Sequence, residues 1–257
     1  GNSAPAFAKA RRIEVKILIV TFHFPPDPAI GAVRPKTLAA FLLQSGHDVH
    51  VITAAQPSQS PDDPSYVHRR PWFSLDPVGL VRPADGGERQ AVSVPSDHVP
   101  SPPQTGQAGI RAVRRWSRRA VGSIRRQVLQ MPDGAAGWIP PAIRAGRALL
   151  ADWIPDVIIA SGPPFSSFII ANSIASPHGI PWIADYRDLW TSSTYYPKAE
   201  WRRHVDGRLE RRLLRTSRCA VSVSEPLCRD LEDEFGIKAV CIPNGYDPVE
   251  LPLLENR

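Results

Sequence analysis

Lys16-Ile17-Leu18-Ile19-Val20-Thr21 is a short apolar run rich in β-branched residues, and it predicts a buried parallel strand. A proline-containing loop follows, and Pro35 then fits the first turn of a helix with an apolar stripe. Gly46 stands at the expected end of that helix, and Asp48-Val49-His50-Val51-Ile52-Thr53 resumes a strand. Strand, helix and strand joined by short links form a βαβ unit, which decides the fold.

The same alternation returns in the second half of the chain. Apolar runs predict further strands at 156–161, 182–184, 219–223 and 240–242. Helical patterns occupy the intervals at 144–150, 166–175, 201–214 and 226–234. Because strands alternate with helices throughout, we predict an α/β fold built as a Rossmann-like, doubly wound parallel sheet.

The domain organisation follows from where this pattern starts, breaks and stops. Residues 1–14 are predicted to be a tag remnant or a disordered leader, and 15–247 a single Rossmann-like domain. A long Pro/Arg-rich insertion is expected at about 54–130. Residues 248–257 are predicted to begin an interdomain linker, with a second domain absent. Just before that linker, Asn244 and Gly245 are predicted to shape a hinge.

The insertion itself has two parts. Periodicity fades over 54–109, which predicts a partly disordered or loosely folded stretch in which Trp72 and Phe73 dock on the body. An amphipathic helix is predicted at 110–128, either binding an anionic membrane or covering the sheet with its apolar side. The arginines of its polar side are Arg111, Arg114, Arg115, Arg118, Arg125 and Arg126.

Composition and missing motifs exclude several classes of protein. The chain has 257 residues and a net charge of +6, which suits phosphate-bearing partners. Its three cysteines form no C-x-x-C pair, which argues for a reducing cytosol and against structural zinc. The first strand–helix loop lacks the G-x-G-x-x-G of NAD-dependent enzymes, and the basic residues lack a nucleic-acid-binding motif. We therefore predict no metal, no cofactor and no nucleic-acid partner.

Several short motifs, taken in their order and spacing, resemble glycosyltransferase family 4-type enzymes, including the subgroup that acts in cell-wall and surface-polysaccharide assembly. These motifs are Phe22-His23-Phe24-Pro25-Pro26, Gly31 with Arg34, Gly46-His47-Asp48-Val49, Pro132-Asp133 with Trp138, Ser161-Gly162-Pro163-Pro164, Asp185-Tyr186-Arg187-Asp188-Leu189-Trp190, Val223-Ser224-Glu225 and Ile242-Pro243-Asn244-Gly245-Tyr246-Asp247. The resemblance covers nearly the whole chain apart from 54–109. It implies the amino-terminal half of a GT-B fold, in which two Rossmann-like domains face each other across a cleft.

The resemblance also implies a function. The amino-terminal domain of such enzymes mostly holds the acceptor, and the carboxy-terminal domain holds the nucleotide-sugar, here the co-substrate. We therefore expect the acceptor-binding domain of a retaining, metal-independent glycosyltransferase that transfers sugar to a glycan or polyprenyl-linked acceptor. This chain alone is expected to be inactive. The expected location is the cytoplasm, with or without peripheral binding to the inner face of the cell membrane. The alternative is a non-catalytic lipid- or acceptor-binding module on anionic membranes.

Site residues are predicted in three loops that follow strand ends, at 22–34, 161–166 and 185–190, because ligands of open α/β sheets bind there. Asp185, Arg187 and Asp188 are the candidate catalytic residues, since carboxylates beside an arginine can orient an acceptor hydroxyl. An internal Asp–Arg salt bridge that braces the loop is the alternative.

The candidate substrate-binding residues each have a structural alternative. Gly31 lets the backbone approach a ligand or forms a simple turn, and Arg34 pairs with a diphosphate or stays solvated. Tyr186 and Trp190 stack on a sugar or pack in the core. The full set is Gly31, Arg34, Gly162, Pro164, Ser166, Tyr186 and Trp190.

Overall fold

A computed structural model describes residues 13–55, 63–73, 128–194, 196 and 198–245. Within these ranges the chain forms a seven-stranded sheet in which every pairing is parallel, in the order β3-β2-β1-β4-β5-β6-β7. The strands are β1 (Lys16–Thr21), β2 (Asp48–Ala54), β3 (Val67–Arg70), β4 (Val157–Gly162), β5 (Trp182–Tyr186), β6 (Cys219–Ser222) and β7 (Ala239–Cys241). The predicted fold class is confirmed.

Five helices that lie entirely within the described ranges connect these strands. They are α1 (Val33–Gln44), α2 (Ile139–Leu149), α3 (Ser166–Ala175), α4 (Glu200–Leu214) and α5 (Glu225–Phe235). A 3₁₀ turn, Ile30–Ala32, leads into α1. Gly46 has a φ of 82° just beyond the end of α1, a conformation that glycine adopts without strain.

Side chains alternate between two apolar layers because successive strand residues point to opposite faces. Leu18 and Val20 of β1 belong to a large core that also buries residues of α2, α3, α4 and α5. Ile17 and Ile19 belong to a smaller core under α1. Helices on both faces make the sheet doubly wound, as the βαβ pattern predicts.

The structure corrects two predicted elements. Residues 54–109 were predicted to be partly disordered or loosely folded, yet β3 lies within their described part and pairs with β2. Only Val67 of this four-residue edge strand is buried, so its sequence carries no hydrophobic alternation. Helix α2 begins at Ile139 rather than at 144, because Pro140 and Pro141 occupy its first turn, where proline is tolerated.

Other predictions about the insertion have mixed outcomes. Trp72 packs edge-on against Phe22 at 5.2 Å between ring centroids, so part of the insertion docks on the core as predicted. Residues 110–127, which carry the predicted arginine-rich face, lie outside the described ranges, as do 1–12 and 248–257. Among the residues that are described, none of the helices has the length and apolar character needed to cross a bilayer.

Candidate functional site

A cavity of about 620 Å³ lies between α1, the sheet and the residues that follow β7. Its floor is made of half-buried aliphatic side chains from three adjacent strands, Ile159, Ile183 and Val221. Leu38 and Phe41 of α1 form an apolar wall. The polar end combines residues from separate predicted loops, namely Gly31, Arg34, Asp185, Arg187, Asp188, Asn244 and Gly245.

Arg34 joins two parts of this polar end. Its guanidinium donates two hydrogen bonds to Asp185 Oδ1, from Nε at 3.1 Å and from Nη2 at 2.9 Å. Its Nη1 donates to the carbonyl of Ile242 at 2.9 Å and to Oδ1 of Asn244 at 3.1 Å. Arg34 was predicted to bind a diphosphate or to stay solvated, but in the structure it ties α1 to β5 and to the predicted hinge.

Both carboxylate oxygens of Asp185 are bonded to other parts of the fold. Ser161 of β4 donates to its Oδ2 at 2.8 Å, and the ion pair with Arg34 occupies Oδ1. The Asp185 side chain is only 5% exposed. These contacts favour the bracing alternative over a catalytic role, with one correction: the partner arginine is Arg34, on a different element, rather than Arg187 of the same loop.

Arg187 holds three loops together through backbone carbonyls. Its guanidinium donates to the carbonyls of Gly31, Gly162 and Pro163. Burial lowers the pKa of Arg187, while Asp185 and Asp188 counteract that shift. The carbonyls carry no net charge, so the neighbouring charges that act on Arg187 are those of Asp185, Asp188 and Arg34.

Asp188 differs from Asp185 and Arg187 because its side chain is exposed and lines the cavity. Among the described residues we find no donor hydrogen-bonded to its carboxylate, although the charge of Arg187 lies close enough to interact with it. A carboxylate that no protein donor saturates can accept hydrogen bonds from a ligand's hydroxyl groups.

Four predicted substrate-binding residues are used by the protein itself. Ser166 is fully buried and donates from Oγ to Asp133 at 2.6 Å. Gly162 offers its carbonyl to Arg187, and Tyr186 and Trp190 are 0% and 4% exposed. The rings of Tyr186 and Trp190 pack beside Phe165, so the structure favours the core-packing alternative for both.

Pro164 lies in the same loop and is only half-buried, but it is not part of the cavity wall. Its carbonyl accepts a hydrogen bond from Ser167 Oγ at 2.9 Å at the start of α3. Its predicted substrate contact therefore has no support from the cavity and stays a prediction.

Glu210 of α4, which the sequence did not single out, lies under the loop that carries Arg187 and Asp188. Its carboxylate accepts from Tyr186 Oη at 2.8 Å and from the backbone N of Thr191 at 3.1 Å. Burial raises the pKa of Glu210 to about 7, against the opposing effect of these hydrogen bonds. The group anchors both ends of the loop from below.

His23 and Asp27 were also not predicted as site residues from the sequence. They follow β1, and His23 Nδ1 lies 2.6 Å from Asp27 Oδ2. The sequence does carry a pattern that would predict them, because a histidine and a carboxylate four residues apart both follow the carboxyl end of a strand. Among the described residues, no group of three or more His, Cys, Asp or Glu side chains is arranged to hold a metal ion.

Structural comparison finds partial similarity to several solved enzymes. The catalytic domain of starch synthase IV from Arabidopsis thaliana, bound to ADP and acarbose, is 12% identical with a TM-score of 0.47, over 91% of this chain and 52% of that chain. UGT89C1 from Arabidopsis thaliana, complexed with UDP, is 14% identical with a TM-score of 0.45, over 94% and 53%. This chain therefore spans about half the length of these structures.

Sequence comparison is more specific. No curated protein matches the chain significantly. The family described as Glycosyltransferase Family 4, however, matches residues 31–250, which include every cavity-lining residue except Ile30 and every strand from β2 onward. The chain belongs to glycosyltransferase family 4.

Proposed function

We propose that this chain is the acceptor-binding domain of a glycosyltransferase, and that the cavity beside α1 holds the acceptor. The proposal rests on one observation above all: the exposed Asp188 carboxylate stands at the polar end of a cavity whose floor is aliphatic. Family membership supports sugar transfer as the reaction. A second Rossmann-like domain, as in a GT-B enzyme, would supply the nucleotide-sugar across the cleft.

The lining of the cavity favours an acceptor with both a hydroxyl-bearing and an apolar part. Val33 and Phe41 of α1 are 45% and 63% exposed at its wall, and Ile242 is 50% exposed at the opposite side. Burying such aliphatic and aromatic surface against a hydrocarbon chain is favourable by about 25 cal/mol per Å². A polyprenyl-linked saccharide fits this combination better than a free glycan does.

Within this site, Asp188 would accept a hydrogen bond from an acceptor hydroxyl and orient it toward the donor sugar. Arg34 and Asp185 would act indirectly, because they keep α1, β5 and the residues after β7 at a fixed separation. Arg187 would hold the loop backbone and contribute positive potential near the transferred group. Retention of configuration, metal independence, a role in polysaccharide assembly and a cytoplasmic location remain predictions from the family resemblance.

The proposal is tested by changing Asp188→Asn in a protein that carries the proposed donor-binding domain as well as this chain. UDP-, GDP- and dTDP-linked sugars would be screened with polyprenyl-linked and free oligosaccharides, and transfer measured by mass spectrometry. Loss of a hydrogen bond to a charged carboxylate costs about 1.5–3 kcal/mol. We therefore expect the KM for the acceptor substrate to rise by roughly 10- to 100-fold. Asp230→Asn, an exposed aspartate of α5 outside the cavity, is the matched control. Identical acceptor KM values for the two variants would remove Asp188 from the site.

A further inference from the structure

The outward face of helix α4 combines exposed apolar and basic side chains. Trp201 and Val205 begin a row along this face and are 39% and 36% exposed. Arg208, Arg212 and Arg215 continue the row, and all three are exposed. Intervals of four and three residues place these side chains on one side of the helix, with Arg215 directly after its last residue. We refer to these five residues as the α4 stripe.

The acidic residues of α4 do not offset the charge of the stripe, because two of the three face the core. Asp206 and Glu210 are 0% and 1% exposed, and Glu210 bonds to the loop that carries Asp188. Glu200, in the first turn, is the one exposed acidic residue of this helix, and it lies 3.8 Å from His204. Beyond its first residue, the exposed charges of α4 are therefore all basic.

The helices beside α4 limit where this basic face can make contact. On one side, Thr216 donates to Asn172 of α3, a helix without charged residues. On the other side, Arg211 donates to the carbonyl of Glu234 in α5, and the two side chains form an ion pair at 3.8 Å. The exposed acidic residues of α5 are Glu225, Asp230, Glu232, Asp233 and Glu234. The α4 stripe thus faces outward between a neutral helix and an acidic one, and Arg211 is paired on the acidic side.

The apolar end of the stripe lies near the candidate site. Helix α4 connects β5 to β6, which is parallel to it, so the helix runs back from the carboxyl edge of the sheet to the opposite edge. Arg203, in the first turn of α4, donates to the carbonyls of Thr191 and Ser193. These bonds hold the start of α4 against the loop that carries Asp188.

We propose that the α4 stripe docks on a membrane surface that carries anionic lipids. Its guanidinium groups bind lipid phosphates, because the planar fork of arginine matches a phosphate with two hydrogen bonds. The indole of Trp201 enters the interface, where an apolar ring with a polar N–H is favoured. Charge alone also suits a nucleic acid or an acidic protein, but exposed apolar residues in the same row favour lipid.

Docking of this kind has a consequence for the acceptor. It holds the start of α4, and with it the loop that carries Asp188, beside the membrane from which a lipid-linked acceptor comes. This link to the acceptor rests on the proposed function, whereas the docking itself needs neither donor nor acceptor.

Co-sedimentation of this chain with lipid vesicles tests the docking directly. We expect binding to vesicles that mix phosphatidylglycerol with phosphatidylcholine, weaker binding as salt increases, and much weaker binding to phosphatidylcholine alone. The triple variant Arg208→Gln, Arg212→Gln and Arg215→Gln should lower the partition coefficient by roughly 100-fold at low salt, since each arginine near an anionic surface contributes about fivefold. Trp201→Ala should lower binding but keep the salt dependence of the wild type, because it removes apolar surface and no charge.

A matched control removes three exposed arginines from α2 and α5 by Arg144→Gln, Arg147→Gln and Arg229→Gln. It has the same net charge as the triple variant of α4 and should keep most of the wild-type binding. Equal unfolding free energies in urea would exclude misfolding as the cause of a difference. Equal loss of binding in both triple variants would overturn the proposal, because binding would then follow net charge alone.

Three other outcomes are also decisive. A wild type that ignores anionic vesicles would overturn the proposal, and one that binds an oligonucleotide instead would assign the stripe to nucleic acid. Undiminished binding by the triple variant of α4 would overturn it as well and assign membrane binding to the arginines at 110–128. Docking as expected, without sugar transfer by a protein that also carries the donor-binding domain, would refute the proposed function and leave the docking unaffected.

Discussion

At the scale of single residues, the cavity separates side chains that hold the loops from side chains that remain available. Arg34, Asp185 and Arg187 have their polar atoms bonded to other parts of the fold, and each links elements distant in sequence. Asp188 and His23 Nε2 have no such hydrogen bonds among the described residues. Within the motif at 185–188, Asp185 and Arg187 therefore hold the fold, while Asp188 stays available to a ligand.

Glu210 gives a residue-scale prediction about pH. Burial raises its pKa from 4.5 to about 7, so between these values the folded chain holds a proton that the unfolded chain has lost. Raising the pH across this window therefore favours unfolding, and the stabilisation present below 4.5 is lost above 7. The full shift corresponds to roughly 3 kcal/mol.

Glu210→Gln removes this titration without changing the size of the side chain. The difference in unfolding free energy between wild type and variant, from urea denaturation, should therefore change by roughly 3 kcal/mol between pH 4 and pH 8. Comparing the two proteins cancels the contributions of His50 and His68, whose pKa values burial lowers. A difference that stays constant with pH would show that Glu210 keeps its ordinary pKa.

At the scale of elements, α2 and α3 pack closely because a glycine stands at their contact. A Cβ on Gly146 would overlap the side chain of Ile174. Gly146→Ala should therefore destabilise the fold by about 1–3 kcal/mol despite the better helix propensity of alanine. Gly134→Ala, where an added Cβ meets nothing within 4 Å, is the control.

A double variant identifies the cause of that loss. Ile174→Val removes the Cδ1 atom that the new methyl group would meet, so combining it with Gly146→Ala should recover part of the stability. Thermal or urea denaturation of the two single variants and the double variant gives the coupling energy. Strictly additive losses would mean that the overlap with Ile174 is relieved in some other way.

Strands and helices could be predicted where their buried residues form a continuous apolar pattern in the sequence. β1 was placed to the residue because five of its six side chains are buried. β3 was missed because it buries one residue and owes its place to pairing with β2, which a local pattern does not record. The sequence likewise predicted Asp185 as a site residue because it follows an apolar strand. Its ion pair with Arg34, 151 residues away, was not predicted because it depends on the topology of the sheet.

At the scale of the whole molecule, the parallel sheet gathers the loops after β1, β4 and β5 and the residues after β7 at one edge. That arrangement follows from the strand order, because the carboxyl ends of parallel strands lie together. The central claim is that the cavity formed there holds the acceptor of a glycosyl transfer.

The most direct test fills the cavity from its exposed wall. Thr37 of α1 is exposed and lines the cavity, whereas Ala40 of the same helix is exposed outside it. In a protein that includes the proposed donor-binding domain, we predict that Thr37→Trp lowers kcat/KM for the acceptor by at least about tenfold, or about 1.4 kcal/mol, while Ala40→Trp leaves it unchanged. Equal transfer by both tryptophan variants and the wild type would contradict the assignment of the acceptor to this cavity.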